Sequence, residues 1–178
     1  DGRASYRNRW VQSDGLKEER AAGRALYPGI LGQSFSEGPR FKITGNTNIV
    51  FHAGKLLALV EAALPTQMAP CTLETIGLYD FGAKLYGAMT AHPKMDPETG
   101  EMLFFGYAPF PPYLQYHVVD KSGALVRSEV IDVAWPSMMH DFAITETHVV
   151  FMLCPVVFNF EEAATRCAQK GVVLACGA

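Results

Sequence analysis

The sequence predicts an all-β chain of the propeller or sandwich kind. Three observations carry that expectation. From residue 47 on, short apolar runs alternate with Gly-, Pro- and Asp-containing turn signals at intervals of about 8–12 residues. Within those runs β-branched and aromatic residues recur with the two-residue period of a half-buried strand. Only one stretch with a clear cap, beginning at Ser13, has the order of a helix.

Composition bounds the rest. The chain has 178 residues, 49% hydrophobic and 19% charged, enough for one sizeable core and unlike a disordered chain. Its formal charge of −3 comes with no basic cluster, which argues against nucleic acid as the main partner. No apolar run reaches the ~18 residues of a spanning helix. The polar start Asp1-Gly2-Arg3 is unlike a secretory signal, and the missing initiator Met implies a start inside a longer chain. Cys71, Cys154, Cys167 and Cys176 show no CxxC spacing, so they read as reduced thiols of a cytoplasmic protein.

Residues 5–11 alternate Tyr6, Asn8 and Trp10 against Arg7 and Arg9, and predict a short strand. Ser13 or Asp14 then caps a helix, with Glu18 and Glu19 early and Arg20 and Arg24 late, the order its dipole favours. Gly23 weakens this helix, and Pro28-Gly29 lies beyond its end. Residues 28–46 are loop-rich. Residues 47–52 and 55–61 form a hairpin around Ala53-Gly54. Pro65 and Pro70 interrupt. Residues 72–76 and 84–91 are further strand candidates.

Asp96-Pro97-Glu98-Thr99-Gly100 is a turn in which Asp opens, Pro fixes φ and Gly takes the positive φ. Strands 101–107, 114–120 and 124–133 follow, the last two joined by Lys121-Ser122-Gly123. The segments 138–145 and 147–153 make the last clear pair. The tail from residue 160 is weakly helical, with a weak strand at 172–175. At ~40–50 residues per blade, the nine or ten strands would make three or four blades.

Five histidines carry the candidate chemistry: His52, His92, His117, His140 and His148. His92 stands at a strand end between an apolar run and the strong turn, stiffened by Pro93. His140 lies among Met138, Met139 and Phe142, and a buried imidazole needs a partner, such as a metal. Their long separation excludes the local zinc motifs and suits a site where several strands converge. Imidazoles without thiolates suit iron, copper or zinc. His117 lies mid-strand and His148 at a hairpin turn, so both read as structural or exposed; His52 could go either way. Glu61, after the run Leu57-Ala58-Leu59-Val60, is either an exposed strand end or a buried carboxylate that orients a ligand imidazole.

Two blocks, TAHPKMDPETGEMLFFGY (90–107) and MMHDFAITETHVVF (138–151), closely resemble those of the carotenoid cleavage oxygenases. That family includes apocarotenoid and stilbene cleavers and the retinal-pigment-epithelium isomerase. YRNRWV (6–11), ERAAGRAL (19–26), NTNIVFHAGKLLALVEAALP (46–65), TLETIGLYDFGAKL (72–85) and VVDKSGALVRSEVIDV (118–133) extend the likeness over residues 5–160. Residues 161–178 diverge from it.

The resemblance implies part of a seven-bladed β-propeller, with a non-haem Fe(II) held on the axis by four histidines and supported by three glutamates. His92 matches the first ligand, His140 the second, and Glu61 the first supporting glutamate. The expected reaction cleaves a C=C bond of an apolar polyene or a stilbene with O2 to give two carbonyl products. Val60 stands where stilbene cleavers tend to carry a lysine, which tilts the substrate towards a carotenoid or apocarotenoid. Phe104, Phe105, Phe110, Tyr113, Met138 and Phe142 would line an apolar tunnel or simply fill the core. The Pro-rich loop 108–114 is either a membrane-facing tunnel mouth or a plain loop. With two ligands of four, the fragment would be inactive alone. The competing readings are a stilbene cleaver, a non-catalytic propeller remnant that acts as an interaction module, and a His140-Asp141 phosphohydrolase, which would need a helical chain.

Overall fold

The computed structural model of the chain describes residues 2–27, 42–158 and 174–176. One helix, α1 (Asp14–Ala22), precedes the strands β1 (Asn48–His52), β2 (Lys55–Leu59), β3 (Thr66–Met68), β4 (Thr75–Leu78), β5 (Lys94–Met95), β6 (Met102–Tyr107), β7 (Leu114–Val119), β8 (Leu125–Ile131), β9 (Ala143–Ile144), β10 (Val149–Val150), β11 (Val156–Phe158) and β12 (Leu174–Cys176). Strands β1 to β4 form one four-stranded sheet in chain order and β5 to β8 a second. β9 pairs with β10, and β11 with β12. Every strand pairing among the described residues is antiparallel. This is the expected all-β architecture, a partial propeller whose four-stranded meanders are its blades.

The turns close for the expected reasons. Asp96 Oδ1 accepts from the N–H groups of Glu98 (2.8 Å) and Thr99 (3.1 Å), and Gly100 sits at φ 73°. Asp120 Oδ1 does the same for Ser122 (2.9 Å) and Ala124 (3.1 Å) before β8. Helix α1 is capped by the Ser13 side chain, and Gly23 ends it rather than weakening it, donating its N–H to the Arg20 carbonyl. Arg24 therefore falls outside the helix.

Two expected strands do not form. Residues 5–11 pair with no strand among the described residues; Tyr6 and Trp10 are exposed, and the segment is held by Arg7 Nη1 donating to the Cys71 carbonyl at 2.7 Å. Residues 84–91 are irregular, with one bridge from Met89 to Ala63. They are apolar because Leu85, Met89 and Ala91 are buried, not because they join a ladder. Conversely, β3 forms between Pro65 and Pro70, where an interruption is expected. Of the weak strand predicted at 172–175, the described residues Leu174 and Ala175 lie in β12. The helical reading of residues 160–171 falls outside the described residues.

The core has two parts, one on each face of the second sheet. On one face Met102 and Phe104 of β6 and Val119 of β7 pack with Leu57 and Leu59 of β2 and with Phe81, Leu85 and Met89. On the other, Phe105 of β6 and Leu114, Tyr116 and Val118 of β7 pack with Met139 and Phe142. The two-residue period of β6 thus sends neighbouring side chains into different cores. Of the proposed tunnel residues, Phe104, Phe105 and Phe142 are core, whereas Phe110 and Met138 are exposed. No helix among the described residues is long and apolar enough to cross a membrane.

Candidate metal centre

The sheets deliver three side chains to one place. Glu61 follows β2, His92 precedes β5, and His140 precedes β9. Each histidine thus sits two or three residues before the first strand of its pairing unit. The His92 loop is pinned on both sides. The Asn48 side chain donates to the Ala91 carbonyl at 2.8 Å, the Thr90 N–H donates to the Phe105 carbonyl at 2.7 Å, and the His92 N–H donates to Thr90 Oγ1 at 3.2 Å. On β6, a Cβ at Gly106 would lie 2.2 Å from the Ala88 carbonyl oxygen. Only glycine lets this loop lie so close to the strand.

The imidazoles of His92 and His140 meet edge to face, with centroids 4.5 Å apart and planes at 64°. Glu61 Oε1 stands 3.4 Å from His92 Nε2 and 3.1 Å from His140 Nδ1. Neither contact has hydrogen-bond alignment: both Glu61 oxygens and His92 Nε2 are buried atoms with no hydrogen-bond partner. One ligand atom from each of the three residues lies within 4.8 Å of the others. Two imidazoles, a carboxylate and these unsatisfied buried atoms fit a divalent transition metal. The His140 side chain is 66% exposed.

The remaining histidines do other work. His117 is buried, its Nδ1 2.9 Å from Ser128 Oγ and its ring stacked on Phe104. Burial lowers its pKa to about 4. His52 Nε2 is 3.0 Å from the Gly100 carbonyl. His148 Nδ1 bonds its neighbour Thr147 at 2.7 Å in the turn before β10.

Sequence reasoning passed over two features of this site. Tyr107, at the end of β6, has its hydroxyl pKa raised by burial and then by the charge of Glu61; the aromatic run Phe104-Phe105-Gly106-Tyr107 was its only signal. Lys94 and Asp141 form a 2.6 Å ion pair between the two histidine segments. Burial pushes the Asp141 carboxyl up, but hydrogen bonds from Lys94 and the Phe142 N–H, with the Lys94 and His92 charges, hold it net below its usual range. Asp141 is thus engaged by Lys94, and the chain is β rather than helical, so the phosphohydrolase reading fails.

A family model described as retinal pigment epithelial membrane protein matches residues 1–174. The chain belongs to the carotenoid cleavage oxygenase family. It is 40% identical to carotenoid 9,10(9′,10′)-cleavage dioxygenase 1 of Arabidopsis thaliana over 91% of this chain and 34% of that protein. It is 44% identical to resveratrol cleavage oxygenase 1 of Aspergillus fumigatus over 90% of this chain and 33% of that protein. Among solved structures, the lignostilbene dioxygenase of Pseudomonas brassicacearum superposes with a TM-score of 0.80 at 36% identity, covering 96% of this chain and 36% of that one. The chain therefore spans about a third of the length of the carotenoid oxygenase relatives it matches.

Proposed function

We propose that the chain is part of a non-haem Fe(II)-dependent dioxygenase that cleaves a C=C bond of a carotenoid or apocarotenoid into two carbonyl products. The observation that carries this reading is the convergence of His92, His140 and Glu61 in a member of a family of cleavage oxygenases. His92 and His140 would hold the iron, and Glu61 would orient their rings by accepting a ring N–H. Glu61 Oε1 stands 3.1 Å from Nδ1 of His140 and 3.4 Å from Nε2 of His92, so one carboxylate oxygen faces a nitrogen of each ring.

The bound iron would supply the binding and activation of O2. The chain's own residues would hold the donor atoms, with the His140 segment anchored through Phe142 in the core beside Phe105. They also leave one side of His140 accessible. The Glu61 carboxylate would offset one of the two positive charges of a divalent ion. Val60 beside it has no group to receive a phenolic oxygen, which favours a polyene over a hydroxystilbene. The unit, residues 1–178, would form one incomplete oxygenase domain, working in the cytoplasm or against a membrane surface.

The test loads the whole natural protein with Fe(II) and offers an apocarotenoid and a hydroxystilbene in separate aerobic reactions. Carbonyl products from the polyene, lost together with iron in His92→Ala and His140→Ala, are the expected result. Products from the stilbene alone would overturn the substrate assignment. Absence of stoichiometric iron would favour a non-catalytic interaction module.

A further inference from the structure

Beside the two histidines lies an ion pair that the proposed chemistry leaves unused. Lys94 is two residues after His92, and Asp141 is the residue after His140. Their side chains meet across 47 positions of sequence at 2.6 Å. The same Asp141 oxygen accepts the Phe142 N–H at 2.8 Å. Lys94 Nζ lies 5.4 Å from the centre of the Phe142 ring, and that ring is held edge-on by Phe105 and stacked with Phe151. The pair therefore ties the His92 segment to the His140 segment, with its acidic end fixed to the aromatic core.

Stability gives little reason for such a pair. The Lys94 side chain is 29% exposed and that of Asp141 50%, and water-screened pairs of this kind contribute little to folding. The two histidines otherwise come from separate pairing units, before β5 and before β9, which share no ladder. Nothing in the backbone hydrogen bonding of those strands sets the distance between their rings.

We infer that Lys94 and Asp141 are positioning residues, a clamp that sets the His92–His140 separation to the span of a metal ion. This rests on the reading of the two histidines as ligands. Neither residue needs to touch the ion; each acts by fixing the short segment that carries a ligand. A metal site is sensitive to such supports, whose loss commonly weakens binding by about 10–100-fold.

The probe is Co(II), titrated into the metal-free whole natural protein and read by its visible ligand-field absorption, with no turnover required. Lys94→Met and Asp141→Asn are expected to weaken Co(II) by about 10–100-fold and to alter the spectrum, while Tm moves by no more than a few degrees. Asp141→Asn keeps an oxygen for the Phe142 N–H, so it tests the pairing rather than the turn. The double variant should be no weaker than the weaker single one, because both remove one contact. Lys94→Arg should restore most of the affinity. Wild-type affinity and spectrum in both single variants would overturn the clamp and leave the proposed function standing. Loss of binding that only parallels loss of fold in both variants would overturn it too, as a structural role. A wild-type protein that binds no Co(II) would overturn the proposed function, and the clamp with it.

Discussion

His117 shows how a single buried ring imprints pH on the molecule. It is neutral in the fold because burial lowers its pKa to about 4, against an ordinary 6.5. The unfolded chain takes up a proton at this position as pH falls through 6.5, while the folded chain declines it until about pH 4. Stability is therefore full above pH 6.5 and is lost between 6.5 and 4, by on the order of 3 kcal/mol at about 1.4 per unit. Denaturant unfolding at a series of pH values should show this slope, and His117→Gln should flatten it. Alternation in the sequence placed His117 mid-strand but left open whether it was core or surface. What decides it is the covering of both faces of β7, a property of the neighbours. Lys94 and Asp141 had a clearer signal, opposite charges beside both candidate ligands. Reading it required knowing that the segments before β5 and β9 adjoin, and no local pattern carries that.

At the scale of elements, the tightest constraint is the loop that brings His92 to the site. It lies against β6 at Gly106, where a methyl group would meet the Ala88 carbonyl at 2.2 Å. Gly106→Ala must push this loop away, and overpacking of this kind costs about 1–3 kcal/mol. The expected result is a lower Tm together with weaker Co(II) binding, since the displaced backbone carries His92. A lower Tm with unchanged binding would show that the loop yields without moving its histidine. The hairpins and Asp-led turns were legible because their determinants are local: a Gly at positive φ, an Asp that accepts two N–H groups. The errors came where local pattern and packing part company. Residues 84–91 are apolar like a strand, yet serve as filling between two sheets. β3 is three residues between prolines, too short to announce itself, and it exists because β2 and β4 offer edges on both sides.

Over the whole molecule, the all-β class followed from the rhythm of runs and turns, and His92 and His140 were picked out as candidates by their place at strand ends. The convergence with Glu61 could not be read from spacing, because it depends on how successive sheets stack. Ile49 and Phe51 of β1 and Ile76 and Leu78 of β4 are exposed, whereas β6 and β7, the central strands of the second sheet, are covered on both sides. That asymmetry has a consequence for hydrogen exchange. Amides of β6 and β7 can meet solvent only when both cores open at once, so their exchange should report the global free energy. Amides of β1 and β4 need only local opening and should exchange earlier. In a deuterium-uptake time course, the last protons retained are expected on β6 and β7, so that the slowest-breathing part of the molecule is also the part on which the segments of His92 and His140 rest.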